Sequence, residues 1–292
     1  CGVFDVSHMG EVRITGEDAE AYVQHIFTND VKDAPVGKIF YGMMLYENGG
    51  TVDDLLVYKM GENDFFLVIN AANIAKDVDW MNQHAKNYQV NVDNQSEHYG
   101  QIAVQGPEAE EVMEQVLGLE CKELAFYTFK TIETDGEQII VSRTGKAKPC
   151  GLGCRDTLRF EVGLPLYGDE LSADITPVMA GLSMFVKLDK EEFIGKEAIA
   201  KQKTEGASQK VVGILLSSHA IPRHGYEVVA EDKTIGTVTT GYKSVSTGQS
   251  VCMALVDAAY AKLGTPLQIR IHRKLHDGEV VKKRFYDKHY KK

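Results

Sequence analysis

The 292-residue sequence lacks the patterns that mark several common classes of protein. No apolar run approaches the roughly 20 residues that cross a bilayer. The first residues, CGVFDVSHMG, show no basic stretch followed by an apolar one, so no signal peptide is expected. Neither GxGxxG nor a P-loop sequence occurs, which argues against dinucleotide binding and against a phosphate-cradling loop.

Cysteine is also scarce, and acidic residues outnumber basic ones. The five cysteines form no CxxC pair, and no further ligands stand near Cys150 and Cys154 to complete a zinc site. Buried, reduced thiols are therefore the favoured interpretation, and we predict no metal. The formal net charge of -10 disfavours binding to a phosphate backbone, so we expect no nucleic-acid partner.

The remaining patterns predict an α+β protein. Residues 52–60 and 65–70 read as a hairpin around a Gly-Glu-Asn-Asp turn, and 73–86 as a helix capped by Asn73. After Lys210, short strands separated by turns predict a small closed barrel or a sandwich. A Gly-Ala-Ser linker places the boundary near Ser208, which divides the chain into 1–207 and 208–292.

Two adjacent aspartates lie beside a strongly apolar strand in GGTVDDLLVYKM. Because successive side chains of a regular strand point to opposite faces, Asp53 and Asp54 cannot both face one pocket. One carboxylate could position a cationic or N–H-bearing substrate, or act as a base, while the other caps the turn or meets solvent. The alternative is an ordinary pair at a hairpin mouth, and spacing alone leaves both interpretations open.

Two further segments carry polar residues of interest. In FDVSHMGEV, His8 follows Ser7, but sequence neighbours do not make a catalytic triad, and a local hydrogen bond at a strand entry is the simpler interpretation. In GLGCRDTLR, Arg155 follows a glycine-rich turn. Its guanidinium could clamp a carboxylate with two hydrogen bonds, or it could form an internal ion pair that holds the turn.

Ten short segments follow one order along nearly the whole chain, among them FDVSHMGEV, GGTVDDLLVY, FLVINAAN, IAVQGP, PCGLGCRDTLRFE and IPRHGYEV. In this ordered set the sequence resembles the aminomethyltransferase family, the T-protein of the glycine cleavage system. The resemblance implies an α+β fold of several subdomains in a cloverleaf around a central folate cavity. Residues 1–207 would form two folate-binding α+β subdomains, and 208–292 a C-terminal β-barrel-like domain.

The resemblance also implies a reaction and its partners. An aminomethyl group arrives on the lipoyl group of a partner H-protein, ammonia is released, and the methylene carbon passes to tetrahydrofolate as co-substrate. Neither nucleic acid nor a membrane takes part. The expected location is the bacterial cytoplasm, with the mitochondrial matrix as the alternative.

The family's functional positions can be carried over one at a time. The key acidic position falls on Asp53, which would hold the pterin ring and steer charge and protons while a folate nitrogen attacks the methylene carbon. The matches to folate-pocket positions are Met9 as an apolar wall, Tyr41 for ring packing, Asn70 for amide hydrogen bonds, Arg155 as a guanidinium clamp and Tyr290 as a ligand-contacting tyrosine.

The sequence departs from the family between Gly145 and Pro149. Only Lys146, Ala147 and Lys148 stand where the family has a longer segment that supplies a tyrosine and a glutamate to the folate pocket. The family's segment before FDVSHM is also absent from the sequence, and its SGTFSPT-like loop reads TGYKSVS at 240–246, without the proline. These departures leave three hypotheses: a working aminomethyltransferase, a degenerate member that binds folate or H-protein with little turnover, and a folate-dependent demethylase.

Overall fold

The computed structural model describes residues 1–106, 108–118, 121, 123–134, 136–144 and 152–287, with the side chains of 116, 117 and 152–155 outside that description. The chain divides into two compact units. The first unit comprises Cys1–Glu47, Val52–Gly151 and Met184–Lys196. The second unit comprises Asn48–Thr51, Leu152–Ser183 and Glu197–Lys292.

The first unit is built on a five-stranded sheet with strand order β3-β4-β5-β2-β6. Two smaller antiparallel pairs, β1 with β7 and β8 with β9, complete its strands. The strands are β1 (Gly2–Asp5), β2 (Gly10–Thr15), β3 (Ile39–Leu45), β4 (Thr51–Gly61), β5 (Asp64–Ile69), β6 (Asn91–Asn94), β7 (Ile102–Gln105), β8 (Thr128–Thr134) and β9 (Glu137–Arg143). The helices are α1 (Ala19–Ile26), α2 (Ile74–His84) and α3 (Ala109–Leu117).

Side-chain alternation gives the five-stranded sheet two different faces. Val12 and Ile14 of β2 are fully buried in a core that includes residues of α1 and α2. Tyr58 of β4 and Phe66 of β5 belong to a separate apolar cluster. Because alternate residues of a strand point to opposite sides, the helices cover one face and this second cluster lies on the other.

The second unit contains a closed barrel with strand order β10-β13-β12-β11-β14-β15. Its strands are β10 (Gln209–Leu216), β11 (Glu227–Ala230), β12 (Lys233–Lys243), β13 (Ser250–Asp257), β14 (Pro266–Ile271) and β15 (Lys274–Val281), and its helices are α4 (Leu152–Glu161), α5 (Pro177–Ala180) and α6 (Lys196–Glu205). Small and β-branched residues, such as Val238, Ala254 and Ile269, fill the barrel interior. At Gly236 the strands approach so closely that a Cβ would lie 2.2 Å from the carbonyl oxygen of Leu255.

The α+β class and the barrel-like C-terminal region predicted from the sequence are confirmed. The predicted hairpin corresponds to β4 and β5, which pair in antiparallel register around Leu56 and Val68. The glycine-rich GLGCRDTLR segment, for which no helix was predicted, contributes to α4. The division at Ser208 stays a prediction. Within the described ranges, no helix has the length and apolar character needed to span a membrane.

Candidate functional site

Asp53 lies near the start of β4, and its side chain is fully buried. Its Oδ2 accepts a hydrogen bond from the backbone N–H of Asn70 at 2.9 Å. Its Oδ1 accepts from Asn70 Nδ2 at 2.8 Å and from Asn73 Nδ2 at 2.7 Å. Three N–H donors therefore surround this carboxylate, an arrangement that suits an ionised acceptor.

The Asn70 carboxamide joins the two aspartates of the DD pair. Its Nδ2 also lies 3.0 Å from Oδ1 of Asp54 and 3.1 Å from the Asp54 carbonyl oxygen. Continuing the β4–β5 register, in which Leu56 pairs with Val68, places Asn70 opposite Asp54. Although a regular strand directs Asp53 and Asp54 to opposite faces, the Asn70 amide at the sheet end reaches both carboxylates.

Asp54 is half-buried and also accepts a hydrogen bond from the Tyr41 hydroxyl at 2.9 Å. Burial, together with the charge of Asp53, raises the pKa of Asp54 to about 6. Burial and the neighbouring Asp54 also raise the pKa of Tyr41, so that its hydroxyl keeps its proton and stays a donor. Asp54 is thus a carboxyl group that can exchange a proton near neutral pH.

Three more of the predicted site residues lie at the same end of the sheet as Asp53. Tyr41 is on β3, next to β4 with Asp54, and Asn70 follows β5. Met9 immediately precedes Gly10, which pairs with Ile69, so the register sets Met9 beside Asn70. Met9 is partly buried against the second cluster, and the Tyr41 ring packs edge-on against Phe185 with centroids 4.8 Å apart. The roles of Met9 as an apolar wall and of Tyr41 in ring packing against a ligand stay predictions.

Asn73 was predicted as a helix cap, and the structure corrects that role. It occupies the N-cap position of α2, but its side chain makes no capping hydrogen bond. The Nδ2 atom is used instead as a donor to Asp53. Asn73 is therefore a site residue that the sequence argument missed, although its place in the FLVINAAN segment, three residues after Asn70, was the available signal.

Two predicted site residues fall at the limits of the described part of the chain. The side chain of Arg155, on α4, and the whole of Tyr290 lie outside the described residues. The nearby Arg159, which the sequence argument did not single out, forms an internal network. It donates to Asp156 at 2.6 Å and to the buried Glu170 at 2.7 Å, and Glu170 in turn accepts from the Thr239 and Thr240 hydroxyls, each at 2.6 Å.

The loop after β12, where the sequence lacks the family's proline, is held by the buried Glu161 of α4. One carboxylate oxygen accepts from Ser244 Oγ at 2.6 Å and from the Ser246 N–H at 2.9 Å. The other accepts from Ser246 Oγ at 2.5 Å. In the described part of the chain, no group of three or more His, Cys, Asp or Glu side chains could hold a metal ion.

Comparisons with known proteins agree with the sequence motifs. The family model described as the GCVT N-terminal domain matches residues 1–145 and 146–190, and the model of the glycine cleavage T-protein C-terminal barrel domain matches residues 209–287. The aminomethyltransferase of Alkaliphilus oremlandii is 45% identical over 322 residues, which covers 100% of this chain and 88% of the relative. That of Thermoanaerobacter pseudethanolicus is 44% identical with the same coverage.

The alignment with these relatives spans 322 positions, whereas the chain has 292 residues, so at least about 30 positions of the relatives have no counterpart here. The N-terminal family model is likewise matched in two pieces that meet between Gly145 and Lys146, where the sequence departs from the family pattern. A crystal structure of glycine cleavage system aminomethyltransferase T from Bartonella henselae matches with a TM-score of 0.88 at 27% identity, covering 100% of this chain and 88% of that one. The chain belongs to the glycine cleavage T-protein family, and its function is that of an aminomethyltransferase.

Proposed function

We propose that this aminomethyltransferase takes its one-carbon unit from the lipoyl group of a partner H-protein and passes it to tetrahydrofolate, releasing ammonia. The observation that carries the proposal is the pair of carboxyl groups, Asp53 and Asp54, held at the end of the sheet by one amide. Tetrahydrofolate would supply the nucleophilic nitrogen. The protein must hold that ring, stabilise developing positive charge and accept or return a proton.

The two carboxyl groups are suited to different parts of that task. Asp53, buried and fixed by three N–H donors, is the fixed negative charge, and we assign it the stabilisation of positive charge at the reacting carbon. Asp54 is half-buried and has a pKa raised to about 6 by burial and by Asp53. We assign it the transfer of a proton at its carboxyl oxygens, since a base works best when its pKa lies near the working pH.

The remaining predicted residues would complete the folate site. Asn70 and Tyr41 present an amide and a hydroxyl beside Asp54, and Met9 supplies apolar surface. Asn70 donates its amide N–H groups to the two aspartates. Its amide oxygen is therefore the group that could accept a hydrogen bond from a ligand. Arg155 and Tyr290 are proposed as further ligand contacts on the strength of the resemblance alone.

The wider setting follows from the same proposal. The two aminomethyltransferases compared above come from bacteria, and we propose that this chain acts in the bacterial cytoplasm. Residues 1–207 would bind folate and 208–292 would form the barrel domain. Similarity along the whole chain to named aminomethyltransferases does not favour a degenerate binder or a demethylase.

The test is a reconstituted assay with this protein, aminomethyl-loaded H-protein and tetrahydrofolate, in which ammonia release is measured. We expect turnover in the wild type, loss of at least about a hundredfold in kcat for Asp53→Asn, and a smaller loss with an altered pH profile for Asp54→Asn. Asp79→Asn, an exposed aspartate on α2, is the matched control and should retain full activity.

Two outcomes would count against the proposal. If the wild type released no ammonia and did not bind tetrahydrofolate in a titration, the enzymatic proposal would fail for this chain. If Asp53→Asn kept wild-type turnover while Asp54→Asn lost it, the reaction would stand but the roles of the two aspartates would be reversed.

A further inference from the structure

Asp77, on the first turn of α2, is a buried acid whose carboxyl oxygens accept no hydrogen bond from the described residues. Its side chain has no exposed surface. The nearest cation is the Lys76 ammonium, which lies 3.4 Å from Oδ1 and also donates to the Val52 carbonyl oxygen. An ionised carboxylate in this position would carry a large desolvation cost.

Besides Lys76, Asp77 faces another carboxyl. Asn73, one helical turn earlier on α2, donates to Asp53 Oδ1 at 2.7 Å, so the start of α2 sets the buried Asp77 on the side of the helix that meets Asp53. Two ionised carboxylates in contact in the protein interior repel each other strongly, and a single shared proton converts that repulsion into a hydrogen bond. The contact therefore requires a proton on one of the two side chains.

The surroundings decide which side chain holds the proton. Asp53 accepts three N–H groups at 2.7 to 2.9 Å, and these stabilise its ionised form. Within the described residues, Asp77 accepts no such bond. In its protonated form it has an O–H group, which it can donate to Asp53. Placing the proton on Asp77 satisfies both groups. Placing it on Asp53 leaves a buried charge on Asp77 whose nearest cation, Lys76, is 3.4 Å away and also donates to the Val52 carbonyl oxygen.

We propose that Asp77 is protonated at neutral pH and donates a hydrogen bond to Asp53, which makes it a positioning residue for the carboxylate of the active site. This inference rests on the proposed function for its catalytic meaning, but not for the protonation itself. Asn70 donates two hydrogen bonds to Asp53 and Asn73 donates one. The Asp77 hydroxyl adds a fourth, and together these bonds fix the orientation of Asp53 and favour its charge.

The charged and titratable groups around Asp77 support this assignment. Burial, and then the hydrogen bond with Asp53 and its charge, raise the pKa of Asp77 to about 9, while Lys76 opposes the shift. Asp54 affects this pair indirectly, through its electrostatic interaction with Asp53. Tyr22 of α1, which packs on the same helix, donates its hydroxyl proton to the Met81 carbonyl at 2.6 Å and is not a competing donor.

Infrared difference spectroscopy on the unliganded protein tests the protonation directly. At pH 7, the wild-type minus Asp77→Asn spectrum should show one protonated carboxyl carbonyl band, which disappears as the pH is raised through about 9. The matched control, Asp79→Asn on the same helix, should give no such band because Asp79 is exposed. A difference spectrum that contains only an ionised carboxylate at Asp77 would overturn the proposal.

A second variant keeps the test decisive if Asp77→Asn folds poorly. In Asp53→Asn the neighbouring charge is gone, so the Asp77 carboxyl, followed by carbon-13 labelling of aspartate, should lose its proton at lower pH than in the wild type. An unchanged titration would show that Asp53 is not the group that holds the proton on Asp77.

Kinetics then test the positioning role. Asp77→Ala should lower kcat on the order of tenfold, because a donor to the active carboxylate is lost. Asp77→Asn keeps an N–H donor and should retain most of kcat. Equal losses of kcat in both variants would contradict positioning. If no variant turned over, the proposed function would fail, but the infrared result would still decide the protonation.

Discussion

Replacing Asn70 with alanine should lower the free energy of unfolding of the first unit by about 3 kcal/mol at pH 7. The amide offers two N–H groups and uses them on Asp53 Oδ1 and Asp54 Oδ1, at 2.8 and 3.0 Å. A hydrogen bond to a charged group contributes about 1.5–3 kcal/mol. The bond to the buried Asp53 should contribute an amount in the upper half of that range, and the bond to the half-buried Asp54 an amount at its lower end. Water that enters the space left by the amide then offsets part of the sum, which leaves about 3 kcal/mol.

The loss should depend on pH, and the direction follows from Asp54. The pKa of Asp54 is raised to about 6 in the folded protein, so this carboxyl is mostly protonated at about pH 5. The Asn70 amide then donates to a neutral group, and that hydrogen bond contributes less to stability. The destabilisation by Asn70→Ala should therefore shrink by about 1 kcal/mol between pH 7 and pH 5, because only the share of Asp53 remains.

The assay is urea unfolding followed by tryptophan fluorescence. The chain has a single tryptophan, Trp80, which lies buried on α2 and so reports on the first unit alone. Asn82→Ala, an exposed asparagine on the same helix whose side chain bonds only to the Val78 carbonyl, is the control and should change the free energy by less than about 1 kcal/mol. A loss below about 1 kcal/mol for Asn70→Ala, or an equal loss at both pH values, would refute the reasoning.

Lys190→Met should lower the free energy of unfolding of the first unit by about 3 kcal/mol in the same fluorescence assay, because the buried ammonium donates to three backbone carbonyls, at 2.7, 2.5 and 2.9 Å. The exposed Lys187→Met is its control, and equal effects of the two variants would contradict this account. Glu161→Gln should destabilise the second unit by about 2 kcal/mol at pH 7, measured by circular dichroism during urea unfolding. Although burial opposes it, hydrogen bonds from Ser244 and Ser246 lower the pKa of Glu161, so its contribution is present above the ordinary value of 4.5 and is lost as the pH falls below it. A wild-type advantage that persisted at low pH would be inconsistent with that linkage.

The sequence was a good guide where local chemistry decides the structure. The β4–β5 hairpin could be predicted because apolar strands flank a turn rich in Gly, Asn and Asp, and the barrel because short strands recur between turns. Helix α4 could not, because its glycine-rich start gives little intrinsic helix preference. Its end is stabilised instead by tertiary contacts, which include the fully buried Phe160 and the ion pairs of Arg159.

The residues of the candidate site could be proposed from the sequence, but their arrangement could not. Motifs pointed to Asp53, Tyr41 and Asn70, and strand alternation correctly gave Asp53 and Asp54 different faces. Alternation says nothing about a side chain just beyond a strand end, which is where Asn70 reaches both carboxylates. The contact between Asp77 and Asp53 joins positions 24 residues apart in sequence and depends on how α2 returns over the sheet, which no local pattern encodes.

The strand edges of this protein bear on its tendency to aggregate. Within the closed barrel each strand has two partners, so no ladder of backbone N–H and C=O groups is left open for another chain to pair with. In the first unit, the edge strand β6 is only four residues long and three of them are Asn or Asp, a composition that discourages further pairing. At the other edge strand, β3, the backbone N–H of Ile39 donates to the Tyr127 carbonyl, and the N–H of Phe129 donates to the carbonyl of Gly37 just before the strand. The segment around Tyr127 therefore covers the start of this edge. The barrel and the five-stranded sheet therefore offer little open strand edge through which another chain could pair.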